Sequence, residues 1–287
     1  MNVWEAIVLG LVQGLTEFLP ISSSAHLRIV GELMSSDPGA AFTAITQIGT
    51  ELAVVMYFRK DIVRICVAWW RALTGAHGTG WRERLGAGDP DARMAWWIAL
   101  GSVPIVVGGL FLEDAIDETF RNLYLTALTL AVFGVLLGVA DRFARQERTL
   151  DTIGPRHAVL FGIAQAMALV PGVSRSGGTI TMGRLLGYTR EAAARYSFLL
   201  AIPAVLGSGF YKLVSSFDEL GTPGTPGLLP ILVATVTAFV VGYVVIIWFL
   251  KLVSTRSYLP FVVYRLALAV VVVILLGAGV VTANGVA

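Results

Sequence analysis

Two stretches of the chain carry polar groups able to do chemistry inside apolar sequence. The first runs from Gln13 and Glu17, past Pro20, to Ser22, Ser23, Ser24 and His26; the second reads Pro171-Gly-Val-Ser-Arg-Ser-Gly-Gly-Thr and ends at Thr179. Burying a neutral polar group without a partner costs about 2–7 kcal/mol, so these side chains must serve one another or a polar cavity. Gln13 and Glu17 are four apart and share a helix face. Glu17 suits a divalent cation or proton transfer, and a buried carboxylate bonded to Gln13 is the structural alternative. Ser23 and His26 are three apart and neighbours on one helical face. That spacing allows a serine nucleophile activated by His26, a direct attack by His26, or water activated by His26. In the second stretch Ser174, Ser176 and Thr179 offer hydroxyls, and Gly172 and its fellow glycines let the backbone approach closely. Arg175 brings a planar fork that matches phosphate oxygens. A helix opening after them adds free N–H groups and a positive dipole end. The set reads as an oxyanion cradle, against the alternative of a Gly-rich helix break with a snorkelling arginine. Ser22, Ser24, Gln13 and Gln47 are supporting candidates; Gln47 and Glu51, four apart on a later helix, are explained as well by polar helix packing.

The elements that must position these groups are membrane helices. Of 287 residues 56% are hydrophobic and 14% charged, and the mean hydropathy is +0.77, too apolar for a domain with a solvated surface. The reading is an all-α polytopic membrane protein. A single cysteine, Cys66, leaves no intrachain disulfide, and neither zinc spacing nor a nucleic-acid signature is present. No cleavable signal peptide is expected, because the first apolar stretch lacks a basic lead and carries the polar cluster. Residues 3–19 are short for a span, which needs about 20 residues, and Pro20 breaks them at the polar cluster. Such a broken helix is tolerated at membrane depth only around a protein-lined cavity, so residues 3–34 read as a re-entrant hairpin. Spans are expected at about 41–59, 95–112 and 122–140, with an amphipathic interfacial helix at 61–75 and loops at 35–39, 76–94 and 113–118. His77 and His157 fall in loops, and 141–157 reads as a polar linker.

The pattern then starts again. An offset of 152 residues carries Gly10 onto Gly162, Gln13 onto Gln165, Ser22 onto Ser174, Ser24 onto Ser176, Gly31 onto Gly183 and Leu33 onto Leu185. A second hairpin over 158–186 is followed by spans at about 196–213, 229–250 and 260–280. The chain is thus expected to be one membrane domain, with 1–141 as a first repeat and 158–280 as a second. Three spans per half require the halves to insert with opposite orientation, an architecture that places sites where broken helices meet. Basic residues cluster at 59–93, at 142–156 and at Lys251 and Arg256. These connections are expected on the cytoplasmic side, with the termini, the 113–118 and 214–228 loops and the site opening outward.

Gln13-x-x-x-Glu17, the following Pro-Ile-Ser-Ser-Ser-Ala-His and the Pro171–Thr179 stretch resemble the two signature motifs of the bacterial undecaprenyl-pyrophosphate phosphatase family, integral-membrane proteins linked to bacitracin resistance. The resemblance covers essentially the whole chain. The family accepts Glu or Gln at position 13, so Gln13 is a permitted form, although it removes a second carboxylate from the motif. The resemblance implies hydrolysis of the terminal phosphate of a C55 prenyl diphosphate, with Mg²⁺ or Ca²⁺ required, recycling the lipid carrier of cell-wall synthesis in the inner membrane. By position it assigns Glu17, Ser23, His26, Ser174, Arg175 and Thr179 as working residues, with Glu17 as the metal ligand. The expected partners are the prenyl diphosphate and membrane lipid, no nucleic acid, with a homodimer left open. The rival class is a lipid-phosphate flippase using the same site, since a carrier needs the cradle but no nucleophile.

Overall fold

The computed structural model describes residues 1–34, 39–76, 78–111, 122–222 and 225–283. The 113–118 loop, His77, residues 35–38 of the first loop and residues 223 and 224 of the 214–228 loop lie outside the described residues. Among the described residues there is no strand, only an isolated bridge between Arg148 and Tyr188.

The first hairpin consists of α1 (Val3–Thr16) and α2 (Ser23–Leu33). A capping box formed by Asn2 and Glu5 opens α1, satisfying donors that have no partner within the helix. The helix ends at Thr16, three residues earlier than expected, because the turn ahead of Pro20 already begins at Glu17. There follow α3 (Gly39–Tyr57), α4 (Arg59–Leu73), the one-turn α5 (Trp81–Arg84), α6 (Pro90–Phe111) and α7 (Leu123–Phe143). Asp89 caps α6 by accepting from the amides of Asp91 and Ala92 at 2.9 and 3.1 Å. Pro90 at the first helical position gives up an N–H that would have no partner anyway. Asn122 caps α7 in the same manner.

The second hairpin is α8 (Pro155–Ala166), continued by a 3₁₀ turn at Met167–Leu169, and α9 (Arg175–Leu185). Then come α10 (Arg190–Ser215), α11 (Leu228–Val253) and α12 (Leu259–Gly277). Helices α6, α7, α10, α11 and α12 are each long and apolar enough to cross a membrane; Ala41–Tyr57 with Arg59–Leu73, bent by 74°, make a sixth candidate if counted as one span. The protein is therefore an all-α polytopic membrane protein. Its outer face is apolar, as a lipid-facing surface must be: Leu110, Phe143, Val244 and Ile274 are all at least 60% exposed.

Helix α1 packs on α11 while α8 packs on α6, and α3 and α10 pack together, as do α7 and α12. Two glycines make the first two contacts close. A Cβ on Gly10 would lie 2.6 Å from the Ala234 carbonyl of α11, and one on Gly162 would lie 2.4 Å from the Gly101 carbonyl of α6.

At the basic end of the bundle two carboxylates organise the helix ends. Asp141 is not in a linker but in the last turn of α7, buried, accepting from Arg184 of α9 at 3.1 Å, Arg190 of α10 at 2.7 Å and the amide of Tyr258 at 3.0 Å. Asp61 of α4 pairs with Arg195 of α10 at 2.8 Å.

Candidate active site

Both hairpins break at a serine in left-handed backbone. Ser22 has φ 72° and Ser174 φ 69°, the two non-glycine residues with positive φ among the described residues. Such a conformation costs about 1–3 kcal/mol and persists only where its surroundings enforce it. Each serine precedes a helix, α2 or α9, and each shares a hydroxyl contact of 3.1 Å with the serine two residues on, Ser24 or Ser176. The breaks therefore place two helix N-termini side by side inside the protein. The side chain of Ser176 joins them by donating to the Leu19 carbonyl at 3.0 Å.

Glu17, at the end of α1 and only 9% exposed, receives what these N-termini present. Its Oε2 accepts from Ser23 Oγ at 2.6 Å and from Gln13 Nε2 at 2.7 Å. Its Oε1 accepts from Arg175 Nη2. Ser23 and Arg175 are the first residues of α2 and α9, so one carboxylate faces two positive dipole ends as well as a guanidinium. The cleft around it is lined by Phe18, Glu51, Ser176, Ser197 and Phe198 besides Glu17 and Arg175. Its lining mixes these polar groups with Phe18, Val54, Phe198 and Ala201.

The structure thus brings together Gln13, Glu17, Ser23, Arg175 and Ser176. Ser174 Oγ caps α9 by accepting from the Gly177 amide at 3.1 Å. The amides of Arg175 and Ser176 stay without a backbone acceptor among the described residues, which is the anion-binding arrangement of a helix start. Thr179 lies one turn deeper, fully buried, donating to the Arg175 carbonyl at 2.7 Å and sharing a 2.5 Å contact with Ser197 of α10. Gly172 is turned to α7, where a Cβ would meet Thr129 Oγ1 at 2.1 Å; its place is one of close packing. Gln47 is half-buried on α3, and its side chain makes no hydrogen bond to the cluster.

His26 is not the partner of Ser23. Its Nδ1 is 2.7 Å from the Ser22 carbonyl and its Nε2 is 2.7 Å from the Tyr264 hydroxyl. A carbonyl only accepts, so the proton sits on Nδ1 and the Nε2 lone pair faces Tyr264. The ring stacks on that tyrosine with centroids 5.6 Å apart. The base within reach of the Ser23 hydroxyl is Glu17.

Three further residues complete the site: Tyr264, Ser197 and Arg265. Arg265 is fully buried and donates to the carbonyls of Pro20 at 3.0 Å, Gly172 at 2.7 Å and Val173 at 3.1 Å, and to Leu130 on α7 at 3.1 Å. It ties the breaks of both hairpins to one another. As the one charged residue in apolar α12 it carried a sequence signal, since an ionisable residue inside a span marks function by default. Ser197 and Tyr264 carried none.

The family model described as bacitracin resistance protein BacA matches residues 6–271. Curated proteins named undecaprenyl-diphosphatase are similar over nearly the whole chain. One from Kineococcus radiotolerans is 61% identical over 97% of this chain and 95% of its own length. One from Micrococcus luteus is 60% identical over 97% and 99%, and one from Paenarthrobacter aurescens 59% over 99% and 100%.

Proposed function

The chain belongs to the BacA family of bacitracin resistance proteins, and from that premise we propose that its cleft is the active site of an undecaprenyl-diphosphatase in which Ser23 attacks the terminal phosphorus. The protein hydrolyses undecaprenyl diphosphate to the monophosphate and inorganic phosphate, recycling the lipid carrier. The observation that carries the residue assignment is the sharing of Glu17 between the Ser23 hydroxyl and Arg175.

An incoming diphosphate competes with Glu17 for the Arg175 fork, whose two parallel donors match phosphoryl oxygens. As the guanidinium turns to the phosphate, Glu17 is left facing Ser23. Glu17 takes the hydroxyl proton, Ser23 Oγ bonds to the terminal phosphorus, and the bridging P–O bond breaks, releasing undecaprenyl monophosphate. Glu17 returns that proton to the departing monophosphate oxygen. The freed carboxylate then takes a proton from the water that attacks the phosphoserine, the P–Oγ bond breaks, Ser23 Oγ takes the proton back from Glu17, and inorganic phosphate is released. Arg175 and the amides opening α9 stabilise the charge on the transferring group in a site where such donors are fixed in advance. His26, held by Ser22 and Tyr264, fixes the start of α2 and so the rotamer of Ser23.

The donor set fits a hard divalent cation. It is oxygen-only, and Gln13 Oε1 is buried with no hydrogen-bond partner. Mg²⁺ is usually held by one or two carboxylates plus substrate phosphates, and Ca²⁺ by a larger set of oxygen ligands. Glu17 would hold the cation, whose chemistry would be neutralisation of phosphoryl charge. The reading places the protein in the bacterial inner membrane with the cleft opening to the outer side.

Purified protein in detergent, where no leaflets exist to move lipid between, is expected to release phosphate from a prenyl diphosphate. EDTA should abolish release, and Mg²⁺ or Ca²⁺ should restore it. Binding without release would favour a flippase; release insensitive to EDTA would remove the cation from the mechanism.

A further inference from the structure

A second carboxylate lies in the cleft and has no role in the steps above. Glu51 sits mid-way along α3, the one charged residue of that helix. It is 2% exposed, lines the cleft with Glu17, Arg175 and Ser197, and its Oε1 has no hydrogen-bond partner. A buried, unsatisfied carboxylate is among the costlier features a fold can carry, and a helix that only needed packing there would be served by an apolar residue. Arg175, the cation facing it, is already paired with Glu17. The cleft lining thus holds two carboxylates against one guanidinium, and one Glu51 oxygen is buried with no hydrogen-bond partner. Once the diphosphate draws Arg175 away, both carboxylates face further negative charge. That arrangement calls for a cation with oxygen ligands. Gln13, though bonded to Glu17, brings no negative charge.

We propose that Glu51 is the second protein carboxylate of the divalent-cation site, acting with Glu17 in the cleft that both line and completed by the diphosphate oxygens. This rests on the cation reading above, and it assigns the charge absent at position 13 to a different helix.

The test is direct binding of Mn²⁺, followed by electron paramagnetic resonance, to the detergent-purified protein with methylenediphosphonate present as a non-hydrolysable phosphate source. Wild type is expected to bind one ion. Glu51→Gln, equal in shape and lacking the charge, is expected to weaken binding at least fivefold and to raise by a similar factor the Mg²⁺ needed for half-maximal activity. Glu51→Asp is expected to fall between the two, and it carries the test, at a threefold threshold, if the Gln variant does not stay monodisperse. Weakening below these thresholds, or no Mn²⁺ bound by wild type, overturns the proposal. The two readings fail separately. EDTA-insensitive hydrolysis by wild type removes the cation itself, whereas cation-dependent hydrolysis with unaltered Mn²⁺ binding by the variants removes only Glu51.

Discussion

At the scale of single residues the chemistry turns on which group is bonded to Ser23. Its hydroxyl donates to Glu17 at 2.6 Å, and both nitrogens of His26 are engaged elsewhere. Glu17→Gln keeps the shape and removes both the base and the charged ligand of the cation, and is expected to lower kcat by at least about 10²–10⁴, the range for a positioned proton acceptor. His26→Gln is expected to cost far less, because it disturbs only the orientation of α2. Rapid quench with terminally labelled substrate checks the assignment: the trapped phosphoryl group should survive acid, as phosphoserine does. Label that is lost in acid and kept in base would move the attack to His26. The residues themselves were legible in the sequence, because polar groups in apolar surroundings are conspicuous. Their pairing was not. Spacing of three residues puts Ser23 and His26 on neighbouring positions, but it cannot show that Tyr264, 238 residues further on, captures the imidazole first.

At the scale of elements the site depends on two broken helices held tip to tip. Pro20 and the Pro171–Gly172 pair announce the breaks, and the structure puts them within a few residues of where the sequence does. The sequence does not disclose what holds the tips together. Arg265 does this by donating to carbonyls of both breaks and of α7, groups that would otherwise be unsatisfied in an apolar interior. Lysine keeps the charge but offers its donors from one point and cannot span these carbonyls. Arg265→Lys is expected to destabilise the protein by about 2–3 kcal/mol, the loss of charge-assisted hydrogen bonds, visible as a lower unfolding temperature in detergent. Phosphate release should fall with it, since Ser23 and Arg175 open the two helices that Arg265 aligns. An unchanged melting temperature would show that α7 and α12 packing alone fixes the tips.

At the scale of the whole molecule the question is which way the cleft faces. The spans were legible because about 20 apolar residues have few other uses, and the ends of α7, α10 and α12 were less so because Asp141 is buried by partners from three other segments that no local window contains. Charge gives the expected orientation. Arg59, Lys60, Arg64, Arg71, Arg82, Arg84, Arg142, Arg145, Arg148 and Arg156 all lie in two connections, and short basic connections stay in the cytoplasm. Helices α4 and α10 meet at that same end through Asp61 and Arg195, so the segment around Phe217, beyond the far end of α10, is expected on the opposite side. Cysteine accessibility in intact cells tests this, with the native exposed Cys66 replaced by serine first. Phe217→Cys is expected to react with an impermeant thiol reagent added outside, and Leu85→Cys to react only after the cells are permeabilised. The reverse pattern would turn the protein over in the membrane and put phosphate release on the cytoplasmic side.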